Sequence, residues 1–105
     1  MLIFSLEEAK SAIRQILKSK SGRVLPTPYC RKRMLERQVF MDDIDRVLFW
    51  GSVRPGKNPG DAEANIFRIM GEDCEDEPLT LVIQIVLPEE LIIVINVFGE
   101  VYGQS

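Results

Sequence analysis

Two apolar runs, residues 79–87 and 91–98, separated only by Pro88-Glu89-Glu90, constrain this chain more than any other feature. Both are too short to cross a bilayer as helices, which takes about 20 apolar residues. Rich in Val, Ile and Leu and punctuated by proline, they predict two core strands, and the short connector makes antiparallel pairing the natural choice. A further strand is predicted at about 65–70, joined to the first by the acidic turn 72–77.

The facing of these strands is predicted from their alternation. In 79–87 the odd positions Leu79, Leu81, Ile83, Ile85 and Leu87 are all apolar, and in 91–98 so are Leu91, Ile93, Ile95 and Val97. These positions predict the core face. A three-residue turn pairs Leu87 with Leu91, which leaves Val82, Val86, Ile92, Val94 and Phe98 on the other face, with only Thr80, Gln84 and Asn96 for polarity. A face open to water normally alternates apolar with polar residues. The second face is therefore expected to be covered, by the first helix, by a twin subunit or by a partner's helix. An interface there would include Val82, Val94 and Phe98.

Ahead of the strands the pattern is helical. Ser5-Leu6-Glu7-Glu8 is a capping box, followed by Leu6, Ala9, Ile13, Ile16 and Leu17 at helical spacing and by Gly22, predicting a helix at about 6–20. Arg23-Val24-Leu25 reads as a short extended piece. Thr27-Pro28 opens a second helix that runs to about Arg37 or Gln38. A third is predicted at about 42–50, with Asp42 and Asp43 in its positive first turn and Gly51 ending it. Residues 55–60, rich in Pro and Gly, read as a loop. At 105 residues the chain is one α+β domain, two to three N-terminal helices packed on a small antiparallel sheet.

Composition excludes several chemistries. There is no histidine and there are two distant cysteines, Cys30 and Cys74, so no Cys/His metal pattern and no histidine-based nucleophile system can be drawn. Neither metal nor cofactor is expected. The first residues lead into Glu7, Glu8 and Lys10, without the basic and apolar regions of a signal peptide, and no membrane partner is expected. The expected location is cytoplasmic, where a Cys30–Cys74 disulfide is disfavoured.

Charge is divided along the chain. From Lys10 to Arg37 nine Lys or Arg stand against one acid, and from Gln38 onward four stand against thirteen acids. The basic third either solvates its outer helix faces or meets an anionic partner such as RNA or an acidic protein segment. Its most distinctive part is Thr27-Pro28-Tyr29-Cys30-Arg31-Lys32-Arg33-Met34-Leu35-Glu36-Arg37. On a helix, Tyr29, Arg33 and Arg37 share one face, a fork able to hold a phosphate or carboxylate, with Arg31 and Lys32 beside it as further nucleic-acid-binding residues. The alternative is that the arginines pair with Asp42, Asp43 or Asp45. Cys30, next to Arg31 and Lys32, is either a thiol of lowered pKa or a small buried residue. Cys74, among Glu72, Asp73, Glu75 and Asp76, is expected to stay protonated.

From Thr27 to Gly51 the chain resembles the domain of unknown function family 4258, itself similar to the RelE/ParE toxin superfamily. The family pattern is His-Ala-x-x-Arg-Met-x-x-Arg-Gly-Ile, then an acidic residue opening a helix, then Val-Leu-x-x-Gly. Arg33, Met34, Arg37, Val39, Asp43, Val47, Leu48 and Gly51 match it at the right spacings. Tyr29 stands where the family has His, Cys30 where it has Ala and Gln38 where it has Gly. Phe67-Arg68 and Ile95-Asn96-Val97-Phe98 resemble the family's strands, so the likeness covers about residues 23–98. It implies a RelE-like fold over residues 1–105, an antitoxin-like protein as partner, and a metal-independent ribonuclease chemistry. In that chemistry cations neutralise the transition state while a tyrosine or lysine moves protons for attack by a 2′-hydroxyl. Tyr29, Arg33, Arg37 and Arg68 would be the catalytic set. Two readings follow: an RNA-binding or RNA-cleaving toxin component, active or degenerate, and a non-enzymatic protein-interaction module or homo-oligomer.

Overall fold

Helix α1, Leu6–Lys18, begins at its capping box: the Ser5 hydroxyl accepts from the Glu8 amide at 3.1 Å while the Glu8 carboxylate accepts from the Ser5 amide at 2.8 Å. The computed structural model describes residues 4–99. Thr27 caps α2, Pro28–Arg37, by accepting from the Cys30 amide, with Pro28 in the first turn where its missing N–H costs nothing. Helix α2 ends at Gln38 in the left-handed region, φ 57°, a conformation that favours glycine. Helix α3, Met41–Trp50, has Asp43 reaching back to the Phe40 amide at 2.8 Å and stops at Gly51. A Cβ at Gly51 would lie 2.6 Å from the Val47 carbonyl oxygen and 2.9 Å from Ile69, so helix and sheet meet there only over a bare backbone.

The sheet has five strands: β1, Arg23–Pro26; β2, Ser52–Pro55; β3, Ile66–Glu72; β4, Pro78–Val86; and β5, Leu91–Gly99, in the order β1-β5-β4-β3-β2. Two features correct the sequence-based expectation. The extended piece after α1 is a true strand that pairs parallel with β5, so the sheet is mixed and one strand precedes two of the helices. Residues 52–55, for which no strand was expected, form an edge strand against β3. Both are four residues long, too short for periodicity to mark; β1 is held by the last strand and β2 by the next one in the chain. Each ends in a proline, Pro26 and Pro55, which leaves the two sheet edges poor templates for another strand.

The core lies between the helices and one face of the sheet. Ala9, Ala12, Ile13 and Ile16 of α1, Cys30 of α2, and Ile44, Val47 and Leu48 of α3 are buried in one cluster with the inner residues of β3, β4 and β5. In β4 these are Leu79, Leu81, Ile83 and Ile85, as expected. In β5 they are Ile92, Val94 and Val97, which corrects the expected odd-numbered face at Leu91, Ile93 and Ile95. The turn is the cause. Val86, not Leu87, pairs with Leu91, so the connector holds four residues and the register slips by one. A β-bulge opposite Val82 and Ile83, with Ile95 as the extra residue, then restores Val97 to the inside. Glu90 anchors that turn: its carboxylate accepts from the hydroxyls of Ser19, at 2.8 Å, and Ser21, and its carbonyl accepts from the Arg23 amide at 3.0 Å. Those two hydroxyls hold the Glu90 carboxyl below its usual range.

Leu6, expected inward, is 41% exposed. Among the described residues, no helix is long and apolar enough to cross a membrane.

Candidate functional site

The basic third of the chain divides by role. Lys10 and Arg14 turn inward from α1 to the C-terminal end of α3. The Lys10 ammonium donates to the Gly51 carbonyl at 2.9 Å, and the Arg14 guanidinium donates to the Phe49 carbonyl at 3.1 Å while lying 4.7 Å from the centre of the Phe49 ring. Carbonyls at that helix end carry partial negative charge, so both cations serve the fold.

The cations of α2 are placed differently. Arg31, Lys32 and Arg37 are exposed, Tyr29 is 55% exposed, and the Arg33 guanidinium carbon lies 6.0 Å from the centre of the Tyr29 ring. The Arg33 Nε is shielded from water and makes no hydrogen bond. Among the described residues neither Arg33 nor Arg37 forms an ion pair with Asp42, Asp43 or Asp45, so the expected local pairing is not made; Arg46 instead meets Asp76 at 3.7 Å. Tyr29 and Arg33 are therefore brought together as the helical spacing predicts. Arg37, one turn on, borders a hollow shared with Asp73, Glu75 and Glu77.

Arg68 does not join them. Its neighbours Phe67 and Ile69 are buried in the core, so Arg68 projects from the opposite face of the sheet, where its Nε donates to the Pro55 carbonyl at 2.9 Å. Helix α2 packs on β5 and β1, and β3 lies beyond β4 on the other side. The four-residue catalytic set is thus divided between two faces by the alternation of a strand, which residue spacing along the chain did not reveal.

Of the expected interface residues, Val94 is 0% exposed in the core, whereas Val82 and Phe98 are half-buried on the face away from the helices. Leu25, Ile66, Val86 and Ile93 lie on that face with them, and Arg23, Arg54 and Arg68 supply its positive charge. Among the described residues none of the three helices covers it, since all bury their apolar stripes in the core cluster.

Cys30 is fully buried, and its thiol is pushed up by burial, with Arg31 pulling weakly the other way, so the buried alternative holds. Cys74 is free and its thiol is raised by desolvation, by hydrogen bonding to Asp43 and by the charges of Asp43 and Asp42, as its acidic setting predicts. Asp43 ties the acidic turn to α3: its carboxylate accepts from the Cys74 amide at 2.9 Å as well as from Phe40. Among the described residues no group of three or more acidic, cysteine or histidine side chains is arranged to hold a metal ion.

One surface escaped sequence reasoning. Met34, Leu35, Val39, Phe40 and Met41 line a groove of about 590 Å³ where α2 gives way to α3, with Leu35 82% and Phe40 68% exposed. The available signal was Leu35, which lies off the inward stripe defined by Cys30 and Met34, together with two large apolar residues in the short link between helices.

Compared with models of protein families, with curated proteins and with solved structures, the chain matches none.

Proposed function

We propose that this chain is a non-enzymatic interaction module of RelE-like arrangement that binds an acidic, apolar segment of a partner protein across the open face of its sheet. The observation that carries this reading is the composition of that face among the described residues: Val82, Val86, Ile93 and Phe98 half-buried, three arginines among them, and one carboxylate, Glu72, at its rim. Both sheet edges are short and end in proline, which favours docking over the face rather than strand addition at an edge. An antitoxin-like helix has the chemistry this surface would select.

Support for the family resemblance comes from what its motif positions do. Val39, Val47 and Leu48 are core residues, Asp43 ties a turn to a helix, Gly51 permits close packing, and Gln38 holds the left-handed conformation suited to the family's glycine. The partner reading is tested by capture from a lysate of the native host, mass-spectrometric identification and reconstitution with the purified partner. Binding is expected to be lost in Val82→Glu and Ile93→Glu and kept in Leu35→Glu. Equal binding by the face variants, or no captured partner, sinks the proposal.

A second reading rests on Tyr29, Arg33 and Arg37, whose cations lack carboxylate partners within ion-pair distance among the described residues. With Arg31 and Lys32 alongside, this flank of α2 would grip the phosphates of single-stranded RNA, Tyr29 stacking on a base. Replacing Arg33 and Arg37 together with alanine is then expected to flatten the slope of log affinity against log salt by about 1.4, since each neutralised phosphate contributes about 0.7 for single strands. Wild-type protein without RNA affinity at low salt rules this reading out.

A further inference from the structure

The geometry points to a twofold dimer of this chain formed at the junction of α2 and α3, a surface separate from the open sheet face. Leu35 and Phe40 are the two largest apolar exposures there and line one groove together with Met34 and the buried Val39. Two oppositely charged regions flank Phe40. On one side is the groove, with Arg31 as its sole charged lining residue. On the other is a hollow of about 290 Å³ lined by Asp42, Asp73 and Glu75, with Gln38 and Phe40 common to both.

An interface built on a twofold axis must be complementary to itself: each contact from one copy is returned by the other. A patch with an apolar centre, a cation at one end and carboxylates at the other meets that demand. Turned by 180° about an axis near Leu35 and Phe40, each copy lays its apolar residues against its partner's, and Arg31 enters the acidic hollow opposite. A basic partner would meet Arg31 with like charge, and a uniformly acidic one would meet Asp42, Asp73 and Glu75. A second copy presents both signs in the required order. Two exposed apolar anchors per copy and a charged contact at each end make a reversible dimer, with a dissociation constant on the order of tens of micromolar.

Sedimentation equilibrium of the full chain across about 10–200 µM tests this, a range that brackets such a constant. Wild-type protein is expected to show a monomer–dimer equilibrium. Leu35→Glu, at a position too exposed to be needed for folding, should weaken it by at least about tenfold with an unchanged melting curve. Arg31→Asp and Asp42→Arg should each weaken it, and the double variant should recover it, because exchange of the two signs restores complementarity across the axis. Val82→Glu should leave it unaltered, which separates this interface from partner docking on the sheet. A wild-type monomer at every concentration overturns the inference. So does a dimer that survives Leu35→Glu, one abolished by Val82→Glu, or a double charge variant no better than the single ones.

Discussion

Replacing Asp43 with alanine is expected to lower stability at neutral pH by about 2–3 kcal/mol, because two backbone amides lose a charged acceptor in a poorly hydrated place. Asp43 is 7% exposed, and its two oxygens serve Phe40 at the start of α3 and Cys74 in the β3–β4 turn. For a domain of this size the loss corresponds to a fall in Tm on the order of 10 °C. Burial pushes the Asp43 carboxyl up, but hydrogen bonds from Cys74 and Phe40 outweigh it and hold the group below its ordinary value of 3.8. A carboxyl whose pKa is depressed by folding stabilises fully above its unfolded pKa and loses that contribution as pH falls through the folded one. The deficit of Asp43→Ala relative to wild type should therefore be constant from pH 7 to about 5 and shrink below about 3.8. Urea denaturation across that range checks it; a deficit independent of pH, or absent at pH 7, would contradict the role assigned to the carboxylate.

Ile92→Ala and Ile93→Ala, neighbours in the same strand, are expected to differ sharply. Ile92 is 0% exposed in the core, and truncating it should cost about 2–5 kcal/mol through lost burial and the cavity left behind. Ile93 is half-buried on the open face and should cost about 1 kcal/mol or less. Denaturant midpoints of the two variants decide the register of β5: similar costs, or the larger cost at Ile93, would mean that the four-residue turn is wrong and the three-residue turn right.

That pair also shows how far the sequence could be read. Alternation located β4 and its core face, capping boxes and proline located α1 and α2, and the glycine at position 51 located the end of α3. These signals are local, so they survive without knowledge of the rest of the chain. The slip in β5 arises from Glu90, whose hydrogen bonds run to Ser19, Ser21 and Arg23, about seventy residues back. No pattern near the turn encodes such a partner. Strand β1 was legible only as a short extended piece because its partner is the last strand, and β2 was missed because four residues running into a Pro- and Gly-rich loop carry too little alternation. Among the site residues, helical periodicity brought Tyr29 and Arg33 together because both lie within two turns of one helix. Arg68 was misjudged because its relation to them depends on which side of a sheet α2 packs.

The parallel pairing of β1 with β5 has a consequence for biosynthesis. Arg23 finds its partner in Leu91, so the first strand to leave the ribosome waits for the last described one before it can join the sheet. Until then α1 can pack against α3, β2 and β4, but α2, which among the described residues packs only on β5 and β1, has no sheet to rest on, and the apolar side chains that β5 will cover stay open to water. Vectorial synthesis therefore cannot complete this domain stepwise. Its sheet is closed by one late, long-range event, and any nascent chain shorter than that event is a chain without a finished core.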